Sequence, residues 1–143
     1  MQFSIKNIVF FFVIIFSITL LSCENKIRTK FNDESASKFL NIYFEEWNKG
    51  NIDNVLNMTH GADTLSDDAL LRLKKSLNLG RKQLFEKNGG IKRITLRNLK
   101  PHTDSNTRIS NYYVSYVKGG GMEVSRYLIL ENGNFKLSLN IVE

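Results

Sequence analysis

The chain has 143 residues, a net charge of +6, one cysteine and one proline; 42% of its residues are apolar and 24% charged. That length fits one domain plus a targeting segment, and the composition excludes a disordered chain, which needs low hydrophobicity and high net charge. A lone cysteine excludes an internal disulfide and a cysteine-built metal site.

Met1 to Asn7 carries Lys6 and no acid, and Ile8 to Leu21 is apolar apart from Ser17 and Thr19. Such a run is shorter than the roughly 20 residues a bilayer-crossing helix needs. A basic start before a short apolar core is the layout of a secretory signal. Leu20-Leu21-Ser22-Cys23 follows it and resembles the lipobox of bacterial lipoproteins. That resemblance implies that the Cys23 thiol receives a diacylglyceryl group, that cleavage falls before it, and that the new amino terminus is acylated with a palmitate-type chain. The alternative is an ordinary signal peptide or uncleaved anchor with Cys23 there by chance.

Residues 1–22 are therefore expected to be a lipoprotein signal peptide, 23–31 a lipidated tether and 32–143 the folded domain. Glu24 to Phe31 mixes charges of both signs and has no apolar period. About ten extended residues reach roughly 35 Å, enough to hold a domain just off the lipid. Two or three acyl chains anchor stably where one does not. The expected location is the cell membrane or the outer membrane, with the leaflet left open. Removing residues 1–22 takes away one base and no acid, so the mature charge is +5. Outside the cell this does not point to nucleic acid. Arg72, Lys74, Lys75, Arg81, Lys82, Lys92, Arg93 and Arg97 are scattered, as on a solvated face.

In the mature part, Ala36, Phe39, Leu40, Tyr43, Phe44 and Trp47 recur at the spacing of one apolar helical face. Asn32 or Ser35 can cap this helix, and Asn48-Lys49-Gly50 stops it. A short second helix carries Ile52, Val55 and Leu56 and ends near Thr59-His60-Gly61. Thr64-Leu65-Ser66-Asp67 offers a capping-box-like start to a third, with Leu70, Leu73, Leu77 and Leu84 as its stripe, Leu71 and Phe85 beside it, and Asn88-Gly89-Gly90 as its stop. Gly80 in its middle suggests a bend or a close approach.

After Gly90 the apolar period drops to two. Strands are expected over Ile91 to Leu99, Arg108 to Lys118, from Met122 to Leu130, and over Phe135 to Ile141. In the last, Phe135, Leu137, Leu139 and Ile141 share one face. Gly119-Gly120-Gly121 turns the second strand back, and Asn132-Gly133 is a two-residue hairpin signal. Helices followed by an antiparallel meander make an α+β fold: three N-terminal helices packed on a curved four-stranded sheet.

This order, with Phe44-x-x-Trp47-Asn48-x-Gly50-Asn51-x-Asp53-x-Val55-Leu56 in the first two helices, resembles the nuclear transport factor two-like superfamily over residues 34–142. More narrowly, it is similar to small envelope lipoproteins of that fold found in Bacteroides-type bacteria. The resemblance implies a cone whose open end holds a pocket. One departure is the absence of the short strand pair that many members carry before the long helix. A cystatin-like helix-on-sheet fold is the alternative, disfavoured by three helices.

Tyr43, Trp47, Tyr112, Tyr116 and Arg126 are the candidate ligand-binding residues, with Tyr127 as a further cone-lining tyrosine. Aromatics at such positions are more often core than site. Arg126 shares a phase with Met122, Val124 and Leu128, which makes it either a buried anion-binding group or a residue near an open sheet edge. Pocket enzymes of the superfamily use a cone-lining acid with a Tyr or Asp donor. Glu45 or Glu46 reaches the rim at best, and Glu123 sits on the polar phase of its strand.

His60 and Asp63, with Asp67 and Asp68 beyond, read as a solvated loop and a helix start; His102 reads as surface. Ser66 has no nucleophile motif around it, and Asp63-Thr64-Leu65 resembles an O-glycosylation pattern of Bacteroides-type bacteria. No catalytic residue, metal site or cofactor is expected. The readings in order are a membrane-anchored, non-catalytic module binding a small molecule or envelope protein, a small pocket isomerase or hydratase, and a structural spacer. An enzyme needs a buried carboxylate at a cavity, a binding module needs only the cavity, and a spacer needs the cone filled.

Overall fold

The computed structural model describes residues 31–142, so the expected signal peptide, Cys23 and the expected tether as far as Lys30 lie outside the described residues. Among the described residues no helix is long and apolar enough to cross a membrane. Phe31, assigned above to the tether, packs with the domain. Its ring lies 5.3 Å from that of Phe135 and 4.8 Å from the Arg108 guanidinium carbon.

Helix α1 spans Asp33–Lys49. It starts at Asn32, whose Oδ1 accepts the Ser35 amide at 2.8 Å, a cap contributing about 1 kcal/mol. It ends at Gly50, left-handed at φ 83°. Ala36, Leu40 and Tyr43 on its inner face are buried. The short α2, Ile52–Asn57, buries Ile52, Val55 and Leu56. A 3₁₀ turn over Ala62–Thr64 leads to α3, Asp67–Asn88. The cap of α3 is Ser66, which accepts the Ala69 amide, whereas Thr64 sits in the 3₁₀ turn and donates to the Gly61 carbonyl. The helix thus starts two residues later than the Thr64 signal suggests.

Strands β1 (Ile91–Pro101), β2 (Thr107–Tyr116), β3 (Gly121–Glu131) and β4 (Asn134–Ile141) form one antiparallel meander in that order. Asn132 (φ 50°) and Gly133 (φ 81°) make the β3–β4 turn, with both central residues left-handed as a type I′ hairpin requires. Beyond the end of β2, the Val117 amide donates to Gly90 and the Lys118 amide to Asn88, which ties the end of α3 to the sheet. Gly90 has φ 94°, and a Cβ there would meet the Phe85 ring at 2.8 Å.

The sheet face towards α1 supplies Ile94, Tyr112, Val114, Val124, Leu128 and Leu137, which join Leu40, Tyr43 and Val55 in the main core. Each fully buried Leu contributes roughly 1.5–3 kcal/mol. A second cluster, Ile52, Leu56 and Ala62, is covered by Leu70, Leu73 and Leu77 of α3; Trp47 and Leu77 touch both clusters. No residue of the 22-residue α3 is fully buried, and Leu71 and Phe85 are exposed.

The pairing of β3 with β4 is irregular. Arg126 pairs with Ile141 and Leu128 with Leu137, so Tyr127 alone faces the three residues 138–140. At this bulge Ser138, expected on the outer face, is buried at 7% exposure, and Leu139 is 37% exposed. Hydrophobic period alone does not reveal such extra residues, because they show only in the pairing with the neighbouring strand.

Candidate functional site

Between α1, α3 and the inner sheet face lies an open cavity of about 350 Å³. Helix α1 contributes Tyr43, Phe44 and Trp47, and α3 contributes Ser76, Leu77, Gly80 and Leu84. The α3 residues lie on one helical face, so the stripe that leaves α3 without a fully buried residue is in part a cavity wall. Ile91 of β1 adds to the lining, as do Tyr112, Val114 and Tyr116 of β2, which alternate along one face. Val124 pairs with Tyr112, Met122 with Val114, and Arg126 with Ser110, so these β3 side chains share that face. Met122 and Leu139 line the cavity while 47% and 37% exposed, and so form its rim.

All five candidate ligand contacts, Tyr43, Trp47, Tyr112, Tyr116 and Arg126, line this one cavity. The lining is apolar apart from a few groups, and none of its residues is Asp or Glu. Its one charged residue is Arg126. Among the described residues, the Arg126 Nε and the Tyr112 hydroxyl are buried without a hydrogen-bond partner. The Tyr43 hydroxyl lies 3.3 Å from Thr59 Oγ1. Thr59 donates its own proton to the Val55 carbonyl at 2.7 Å, so Tyr43 is the donor of that pair.

Burial pushes the Tyr112 phenol up to about 12, against the opposing pull of the Arg126 charge. Burial raises Tyr43 too, opposed first by its bond to Thr59 and then by Arg126. Arg126 therefore acts electrostatically on both phenols. Burial also raises Tyr116. Each of these groups is held neutral, because a phenolate loses more hydration on burial than a phenol.

Other candidates lie elsewhere. Tyr127, expected at the cone, packs edge-on against His102 at 5.3 Å and does not line the cavity. It follows Arg126 in the strand and so points to the opposite face. Glu45 pairs with Lys49 at 2.7 Å. Glu46 accepts from Asn54 and Asn51, bonds that lower its pKa. Glu123 is exposed and pairs with Arg97 at 3.3 Å. His60 pairs with Glu131 at the end of β3, a partner far away in sequence. Asp63, Asp67 and Asp68 are exposed. Among the described residues no group of three or more His, Cys, Asp or Glu is placed to hold a metal.

The α3 wall is absent from the sequence expectations, although Leu77, Gly80 and Leu84 recur at helical spacing. A glycine within such a stripe is the signal that marks it. Gly80 makes no close approach: nothing lies within 4 Å of where its Cβ would be, and the helix runs through it.

No protein-family model matches the chain, and no curated protein does. A solved structure described as an NTF2-like transpeptidase, from Campylobacter jejuni, is similar with a TM-score of 0.55. The likeness covers 76% of this chain and 97% of that chain at 12% identity. Identity that low speaks for the fold alone. The chain has the NTF2-like α+β fold, three helices packed on a four-stranded antiparallel sheet.

Proposed function

We propose that this chain is an exported envelope lipoprotein, tethered by lipid on Cys23, whose domain binds a small molecule in the cavity without transforming it. The single observation that carries the binding part is the cavity itself: open, mostly apolar, about 350 Å³, and bordered by no carboxylate. Its size is at the lower end of small-molecule sites, and a few polar groups in an apolar wall are their usual make-up. An isomerase or hydratase of the cone type would need an acid at that wall. A structural spacer would need the space filled. The transpeptidase activity in the neighbour's description is not carried over, because 12% identity speaks for the fold alone. Address and anchor rest on the Lys6 start, the apolar run and Leu20-Leu21-Ser22-Cys23.

Two measurements test this. Cys23→Ser is expected to release the protein from membranes or block its processing; a variant that is cleaved normally and stays membrane-bound rejects the anchor. Native mass spectrometry of the full chain purified from its own envelope is expected to show a discrete added mass besides the lipid. A bare lipidated mass rejects a resident ligand.

A further inference from the structure

We infer that the cavity takes a monocarboxylate with an apolar body, its head group held by Arg126 and Tyr112; this rests on the reading of the cavity as a ligand site. The reasoning begins with what the wall leaves unpaired. A buried guanidinium nitrogen and a buried phenol without partners each carry a desolvation cost that a suitable acceptor would remove. Both belong to the same sheet face. Arg126 is opposite Ser110, two residues from Tyr112, and such diagonal neighbours lie about 7–8 Å apart, within reach of long side chains. Arg126 sits where the β4 bulge opens the sheet, a place where bulges redirect side chains.

The donors select the head group. The Tyr43 proton is committed to Thr59, and the Arg126 guanidinium and the Tyr112 phenol are the lining donors that are both buried and unpaired among the described residues. A carboxylate has one charge and two oxygens, and a planar guanidinium pairs with it edge to edge. A phosphate monoester brings up to two charges and would find a single cation in the wall. An ammonium would meet Arg126 with like charge and find no acid. The body follows from the rest of the lining: Phe44, Trp47, Leu77, Leu84 and Tyr116 are apolar or aromatic, and the exposed Met122 at the rim suits a chain that reaches the mouth.

Trp47 lines the cavity and is the only tryptophan, so its fluorescence reports occupancy directly. The full chain, held in lipid discs, is titrated with octanoate, octanamide and octylamine. Octanoate is expected to shift Trp47 emission saturably and to bind at least about tenfold more tightly than octanamide, with octylamine weakest. Arg126→Gln is expected to erase the acid-over-amide preference, and Tyr112→Phe to reduce it several-fold. The comparison of acid with amide in the unaltered chain stands even if Arg126→Gln does not fold. Equal binding of octanamide, or a preference that survives in Arg126→Gln, overturns the head-group assignment while leaving the cavity as a ligand site. Silence from all three probes also overturns it, whereas an added mass in the native spectrum would still support a ligand of other chemistry.

Discussion

The side-chain amide of Asn48 completes the hydrogen bonding of Ile91: its Nδ2 donates to the Ile91 carbonyl at 2.7 Å, and its Oδ1 accepts the Ile91 amide at 3.1 Å. Strand β1 is at the edge of the sheet, so Ile91 has no strand on that side to pair with. The Asn48 carbonyl in turn accepts from Arg81 Nε at 2.9 Å, so the end of α1 holds both β1 and α3. Asn48→Ala is expected to lower stability by about 1–3 kcal/mol, the cost of leaving partly buried peptide groups unpaired. Urea denaturation checks this through the midpoint at unchanged slope, and a loss below about 0.5 kcal/mol would place these bonds among ordinary surface contacts.

Gly80 lies mid-helix with open space where a Cβ would go. Gly80→Ala is expected to raise stability by about 0.5–1 kcal/mol, the propensity difference between the two residues. Gly80→Leu is expected to keep the fold while filling part of the cavity, and so to weaken any cavity ligand. Thermal melts and the Trp47 titration separate the two effects. A destabilised Ala variant would mean the helix needs glycine for its path.

Tyr112→Phe removes a buried hydroxyl that has no partner among the described residues. Stability at pH 7 is expected to stay level or rise by about 1 kcal/mol, unlike the usual loss for a buried tyrosine. The alkaline limb gives a second reading. With the folded phenol at about 12 and the unfolded one near 10, the native state holds its proton more tightly. That contribution is complete below about pH 10 and is lost as pH rises towards 12. The phenylalanine variant is expected to show a shallower fall over that window, with the part due to Tyr43 remaining. An unchanged slope would mean that Tyr112 is solvated.

Helix α3 has no fully buried residue, while α1 buries Ala36, Leu40 and Tyr43. Backbone amides of α3 are expected to exchange with deuterium faster than those of α1, because few buried contacts mean a lower local opening energy. Octanoate is expected to slow exchange around Leu77, Gly80 and Leu84 more than around Leu71. Equal protection of the two helices would show that α3 is held by more than its half-buried leucines.

Much of the fold is legible in the chain because its local signals agree. Ala36 to Trp47 repeat at helical spacing, Gly50 and Gly89 stop helices, and Asn132-Gly133 turns a hairpin, each a short-range requirement on φ and ψ. The same holds for one face of β2 and β3, where strict alternation carries Tyr112, Tyr116 and Arg126 to one side. The bulge before Ile141 is not legible, because pairing with a neighbouring strand is a property of two strands and not of one. Asn48 reads as a helix stop, and its role towards Ile91 depends on a residue 43 positions away.

The sequence by itself determined the element types, the meander order and the phase of most inward residues, since helix and strand periods and turn chemistry act over a few residues. It also carries the whole case for Cys23. Tertiary structure decided that five scattered candidates line one cavity, that α3 forms its far wall, and that Tyr127 faces away with His102. It also decided that Glu131 answers His60, and that Arg126 Nε is buried without a partner among the described residues. These depend on which faces meet and on how much space they leave, and packing of that kind is settled only when distant segments are brought together.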